Sequence, residues 1–191
     1  MRKALVTALA AVALTGCSTG SGAVDVNNGG QFRFVEATPA GEVIDVADRA
    51  LAPEFAGTLL SGEDFESREL SGDVAVLNFW GSWCPPCRVE TPEFQEVYEE
   101  VESQGVQFLG INVKETDQQF ADAFVTDADI TFPSLYDPAS EVALAFRDYP
   151  ASAIPSTIVL DGDYRVAAVY TGTVSQEDLR AVLERVLGEE D

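Results

Sequence analysis

The chain has 191 residues, a formal charge of −22 and no histidine. The length suffices for one domain with a full hydrophobic core and a tail, and the 33 acidic against 11 basic residues argue for a solvated acidic surface and against nucleic acid or a bare anionic membrane as partner. The missing histidine excludes Cys–His and Ser–His–Asp nucleophile systems, and 3 cysteines cannot supply the four ligands of the usual zinc site, so no metal and no cofactor are expected.

Arg2 and Lys3 precede an apolar segment over residues 4–14, too short to span a bilayer as a helix, which ends at Leu14-Thr15-Gly16-Cys17. This arrangement resembles a bacterial lipoprotein signal peptide with its lipobox. The resemblance implies removal of residues 1–16, lipid on Cys17 and an extracytoplasmic protein anchored to the cell membrane. An ordinary secretory signal would place the chain in the same disulfide-permissive compartment without the lipid. Residues 17–30 are small, polar and glycine-rich, a flexible tether with a span of roughly 20 Å.

Residues 32–46 alternate apolar and polar side chains about Thr38-Pro39-Ala40-Gly41, a hairpin signal. Residues 31–52 are therefore expected to form an N-terminal β-hairpin extension. A second hairpin is expected over residues 57–70, turning at Ser61-Gly62-Glu63-Asp64. Residues 74–80, Val-Ala-Val-Leu-Asn-Phe-Trp, read as a strand buried on both faces. A helix follows over about residues 85–103, then a strand over 106–113. Residues 117–129 have helical spacing, with Phe120, Ala123, Phe124 and Ala128 on one side. A short extended piece, a short helix over residues 140–147, and two strands joined by Asp161-Gly162-Asp163 come next. The last helix, over residues 175–187, has a cap-like start at Ser175 and Asp178 and a stop at Gly188. This order is that of an α/β domain with a mixed central sheet flanked by helices, here over residues 53–188.

Cys84 stands where the buried strand hands over to the helix, in Trp83-Cys84-Pro85-Pro86-Cys87. Unpaired N–H groups at a helix start favour a thiolate, the form that attacks disulfides. Prolines suit the first helical turn, and here they also stiffen the loop that holds the second sulfur near the first. The pair can exchange disulfides: Cys84 as nucleophile forms a mixed disulfide, and Cys87, one turn inside, resolves it. Half of a zinc site, a static disulfide closing a tight loop, and a chance spacing are the competing readings. With Cys17 lipidated, the count is one anchor and one redox pair. Trp80 is expected to pack at the strand end and Trp83 to line a substrate surface with Pro85 and Pro86. Lys114 and Arg147 are assigned no role.

The segment Val74-Ala-Val-Leu-Asn-Phe-Trp-Gly-Ser-Trp-Cys-Pro-Pro-Cys-Arg-Val-Glu-Thr-Pro-Glu-Phe94 resembles the active-site region of thioredoxin-fold proteins, specifically the TlpA/ResA-like extracytoplasmic thiol–disulfide oxidoreductases. The likeness runs from about Pro53 to Leu187. It implies that Pro92 kinks the active-site helix, and that Asn78 stands where cytoplasmic thioredoxins carry a proton-moving aspartate. It further implies that Glu90 tunes the thiol pKa values and accepts the Cys87 proton, with partial burial raising its own pKa. Ala153-Ile154-Pro155-Ser156-Thr157 matches the fold's cis-proline loop. Ile154 and a cis Pro155 would then sit beside the cysteines and pair with an extended substrate segment.

The resemblance points to a reductant of extracytoplasmic protein disulfides, such as those of apocytochrome c before haem attachment, fed by a membrane thiol–disulfide electron donor. An oxidase for secreted proteins and a redox-inactive peptide-binding module are the alternatives. A peroxidase lacks its Pro-x-x-x-Thr/Ser-x-x-Cys setting.

Overall fold

A computed structural model of the chain describes residues 41–189. Its centre is β4 (Val74–Trp80), every residue of which is buried. A strand covered on both faces must read as a continuous apolar run, and this one does apart from Asn78. Its neighbours are β5 (Val106–Val113), parallel to it, and β7 (Ser156–Leu160), antiparallel. β6 (Ser134–Asp137) lies parallel beyond β5, and β8 (Val166–Thr171) antiparallel beyond β7. With β1 (Glu42–Val43) at the far edge, the six-stranded order is β1-β8-β7-β4-β5-β6. The short pair β2 (Ala56–Thr58) and β3 (Asp64–Glu66) forms a separate hairpin, turning where the sequence placed the turn.

The side chains of β4 alternate between two cores. Ala75, Leu77 and Phe79 join Leu109, Ile111, Ile158, Phe65 and Phe146 on one face. Val74 and Val76 join Phe94, Val97, Phe108, Val159 and Val182 on the other. Helix α1 (Pro85–Val101) and the C-terminal α4 (Gln176–Leu187) cover that second face, and α2 (Gln118–Asp127) reaches Trp80 through Phe124, with ring centroids 5.2 Å apart. The rule that parallel crossovers are right-handed puts α1 and α2 on the same side of the sheet, where Cys87 of α1 and Ala121 and Phe124 of α2 share one cluster with Trp80. The short α3 (Glu141–Ala145) follows β6. Ser175 accepts the Asp178 N–H at 3.1 Å and caps α4, and Gly188 ends it in right-handed rather than left-handed backbone.

One expectation changes, which residues of α2 are buried, and two others gain detail. The second arm of the proposed N-terminal hairpin, Glu42–Val43, pairs with β8 at Val169 and Ala168; the first arm lies outside the described residues, as do the signal peptide, Cys17 and the tether. Backbone donors at a sheet edge offered that arm a partner that local alternation cannot reveal. On α2 the buried positions are Ala121 and Phe124, whereas Phe120 is 51% exposed, because the helix turns its Ala121 face to the site. Pro92 sits inside α1, which continues past it to Val101; its ring removes only the donor that would reach the Arg88 carbonyl. Among the described residues no helix is long and apolar enough to cross a membrane.

Candidate active site

The strand-to-helix handover is tight. The Cys84 N–H donates to the Gly81 carbonyl at 3.1 Å, and a Cβ on Gly81 would lie 2.7 Å from Trp83 Nε1, so a side chain there would have to displace the Trp83 indole. Cys84 is the N-cap of α1 in extended conformation, with Pro85 and Pro86 opening the helix. Cys84 and Cys87 form a disulfide with Cα atoms 5.3 Å apart. Cys84 Sγ accepts the Cys87 N–H at 3.3 Å. The prolines supply no N–H, so the helix start acts on this sulfur through that one recorded donor. The array of free amides expected of a helix N-terminus is thus reduced to a single hydrogen bond.

Both sulfurs are shielded: Cys84 is 3% exposed and Cys87 0%. The surface around them is apolar, with Trp83 49% exposed and Pro85 and Pro86 exposed. Beneath, the cysteines pack with Trp80, Ala121 and Phe124, and half-buried Ile154 lies against the same cluster. The Arg88 guanidinium stands 5.1 Å from the Phe124 ring centroid and donates to the Ser82 carbonyl at 3.2 Å.

Glu90 is 1% exposed, a deeper burial than the sequence suggested. It lies one turn after Cys87 on α1. Its Oε1 accepts the Val174 N–H at 2.7 Å and its Oε2 accepts Asn78 Nδ2 at 3.0 Å. Desolvation pushes its pKa up to about 7, against the opposing pull of the Val174 and Asn78 hydrogen bonds, and Glu93 adds a smaller upward push. A carboxyl with a pKa near the working pH can both hold and release a proton. Asn78 Nδ2 also reaches Thr157 Oγ1 at 3.3 Å. Asn78 therefore ties the glutamate to the strand that follows the proline loop.

The Ile154–Pro155 peptide is cis. Phe79 of β4 pairs with Ser156, so the loop stands at the same end of the sheet as the cysteines. The Pro155 carbonyl accepts the Gly172 N–H at 2.9 Å, which links this loop to the segment that donates to Glu90. Pro155 is itself buried, Ile154 half-buried, and Ser152 and Ala153 before them are exposed.

Sequence reasoning missed Glu115, Thr157 and Val174. Val174 acts through its backbone, which leaves no mark in a side-chain pattern. Glu115 is buried at the end of β5, and its Oε2 accepts the Ser82 N–H at 3.0 Å and Asn112 Nδ2 at 3.3 Å. The one available cue was an acidic residue two positions past a strand end. Among the described residues no group of three or more His, Cys, Asp or Glu is placed to hold a metal ion.

The model of the AhpC/TSA family matches residues 49–169, which include both cysteines, Glu90 and Pro155. The thiol–disulfide oxidoreductase ResA of Geobacillus thermodenitrificans is 34% identical over 144 residues, covering 74% of this chain and 79% of its own. The crystal structure of a secreted thiol–disulfide isomerase from Corynebacterium glutamicum is 36% identical with a TM-score of 0.74, covering 78% of this chain and 92% of that one. A DsbF homologue from Corynebacterium diphtheriae is 36% identical with a TM-score of 0.75, covering 82% and 99%. A disulfide at a helix start, a cis-proline loop beside it and these likenesses agree: the chain belongs to the AhpC/TSA family of thioredoxin-fold proteins and is an enzyme of the ResA type, a protein thiol–disulfide oxidoreductase.

Proposed function

We propose that this enzyme reduces disulfides of extracytoplasmic proteins through Cys84 and Cys87. The observation that carries the reading is the Cys84–Cys87 disulfide in the first turn of α1, with one backbone N–H on Cys84 Sγ. In the reduced enzyme, the Cys84 thiolate attacks a substrate disulfide. A Cys84–substrate bond forms and one substrate thiolate leaves. Cys87 then gives its proton to Glu90 and attacks the Cys84 sulfur, which re-forms the Cys84–Cys87 bond and releases the second substrate thiolate. Two electrons pass from the dithiol to the substrate. Trp83, Pro85 and Pro86 border the approach. The backbone at Ile154, before cis Pro155, offers main-chain groups to an extended segment.

The reducing direction is supported by what Cys84 lacks. A strongly oxidising pair needs a strongly stabilised thiolate. Here two of the first-turn amide donors are replaced by prolines, and no histidine stands between the cysteines. The secreted relative from Corynebacterium glutamicum and the lipobox-like Leu14-Thr15-Gly16-Cys17 support an extracytoplasmic protein held to the cell membrane by lipid on Cys17. Its partners in this reading are protein disulfides, apocytochrome c among them, and a membrane thiol–disulfide donor.

The test is insulin disulfide reduction by wild type and Cys84→Ser, with peroxide consumption measured alongside and the reduction potential determined. Loss of activity in Cys84→Ser and a potential below that of the substrate dithiols are expected. A Cys87→Ser variant should trap the substrate as a mixed disulfide through Cys84. An inactive wild type would make the domain a binding module, and a potential above that of its substrates would make the same pair an oxidase.

A further inference from the structure

A continuous row of contacts crosses the mouth of the site. Arg88 Nη1 donates to the Ser82 carbonyl at 3.2 Å. The Ser82 N–H donates to Glu115 Oε2 at 3.0 Å. The next residue back, Lys114, donates through Nζ to the Ser152 carbonyl at 3.4 Å. Ser82 lies two residues before the nucleophilic sulfur, and Ser152 three before cis Pro155. One dipeptide in the loop between β5 and α2 therefore touches both loops that a substrate segment would meet.

The backbone there is unusual. Lys114 has φ of 54°, in the left-handed region that residues with a Cβ rarely occupy and that persists where the surroundings over-determine it. That turn sends adjacent side chains in different directions, Glu115 inward and Lys114 along the surface. Glu115 is buried, and Asn112 Nδ2 at 3.3 Å holds the same oxygen that receives Ser82. The carboxylate is thus fixed before it holds the Ser82 peptide. Lys114 is the one lysine among the described residues.

We propose that Lys114 and Glu115 form a positioning unit that sets the spacing between the Cys84 loop and the cis-proline loop, and so the fit of an extended substrate segment across them. The unit acts through Ser82 and Ser152. The hydrogen bond on Cys84 Sγ comes from inside α1 and is independent of it. Loss of the unit should therefore misplace the substrate segment and leave the sulfur's own reactivity in place. The inference rests on the exchange reaction proposed above.

The test compares two second-order rates for each reduced protein, one with an extended peptide disulfide and one with a small aromatic disulfide that needs no groove. The ratio of the first to the second is the readout. Glu115→Ala should lower it about tenfold, the effect of one charge-assisted hydrogen bond. Lys114→Met, losing a longer and more exposed contact, should lower it about threefold, as a weaker hydrogen bond would. Glu115→Gln, which keeps an acceptor for the Ser82 N–H, should restore most of the ratio. An unchanged ratio in Lys114→Met and Glu115→Ala overturns the proposal, as does a parallel fall of both rates. If Glu115→Ala does not fold, Lys114→Met decides alone, since its side chain is exposed. A wild type that reduces neither disulfide overturns the exchange reaction itself and this inference with it.

Discussion

Replacing Glu90 by glutamine should change how stability depends on pH. Glu90 has a pKa of about 7 in the folded protein against 4.5 for the ordinary group. An acid whose pKa rises on folding binds more protons folded than unfolded between those values. Stability therefore falls as pH rises through that window, and the loss is complete above the folded pKa. The shift corresponds to about 3 kcal/mol. Glutamine is neutral throughout and keeps a carbonyl for the Val174 N–H. Asn78 can rotate its amide to accept from the new NH2 group, since its Oδ1 has no partner. Denaturant unfolding of both oxidised proteins from pH 4.5 to 8.5 isolates the residue, because the other carboxylates titrate alike in each. The advantage of Glu90→Gln should grow by about 3 kcal/mol between the ends of that range. A difference that stays constant with pH would show that Glu90 ionises like a surface carboxylate and would remove the argument for its role as a proton acceptor.

The remaining predictions concern the architecture that holds the site and the poise of the sulfur. Gly110→Ala would place a Cβ 2.3 Å from Ser134 Oγ and 2.7 Å from Trp80 Nε1; overpacking of this kind should cost about 1–3 kcal/mol in chemical denaturation. Arg49 is buried and donates to the Ile44 carbonyl, to Asp161 at 3.1 Å and to Glu189. Arg49→Leu leaves Asp161 without its ion partner and should lower unfolding stability by about 3 kcal/mol, measured by guanidinium titration. Pro86→His restores an amide donor and adds a titratable imidazole beside Cys84. Thiolate stabilisation of about 1.5–3 kcal/mol should raise the reduction potential by roughly 30–60 mV, read by equilibration against glutathione. An unchanged potential would count against the argument that missing donors make this pair reducing.

The elements themselves were legible because their causes are local. An apolar run marks β4, prolines after Cys84 mark the first turn of α1, and Ser175 caps α4 with its own hydroxyl. The cysteine spacing carried the chemistry, since two thiols at a strand-to-helix junction need no distant partner to be recognised. Helix periodicity was less secure: Phe120 belongs to the apolar count of α2 yet faces outward, because which side a helix buries depends on what packs against it.

The environment of the site was decided only by tertiary structure. The family resemblance names Glu90, but its raised pKa comes from burial in the assembled fold, which outweighs the downward pull of the hydrogen bonds from the Val174 N–H, 84 positions away, and from Asn78 on β4. The same holds for Glu115, whose importance lies in reaching Ser82, and for β1, whose partner is β8. Hydrophobic pattern and capping act over one or two turns of chain, so sequence alone determines where strands, helices and the reactive thiols lie. Desolvation and long-range hydrogen bonds act between residues that only the assembled sheet brings together, so the proton affinity of Glu90 and the spacing of the two loops exist only in the folded molecule.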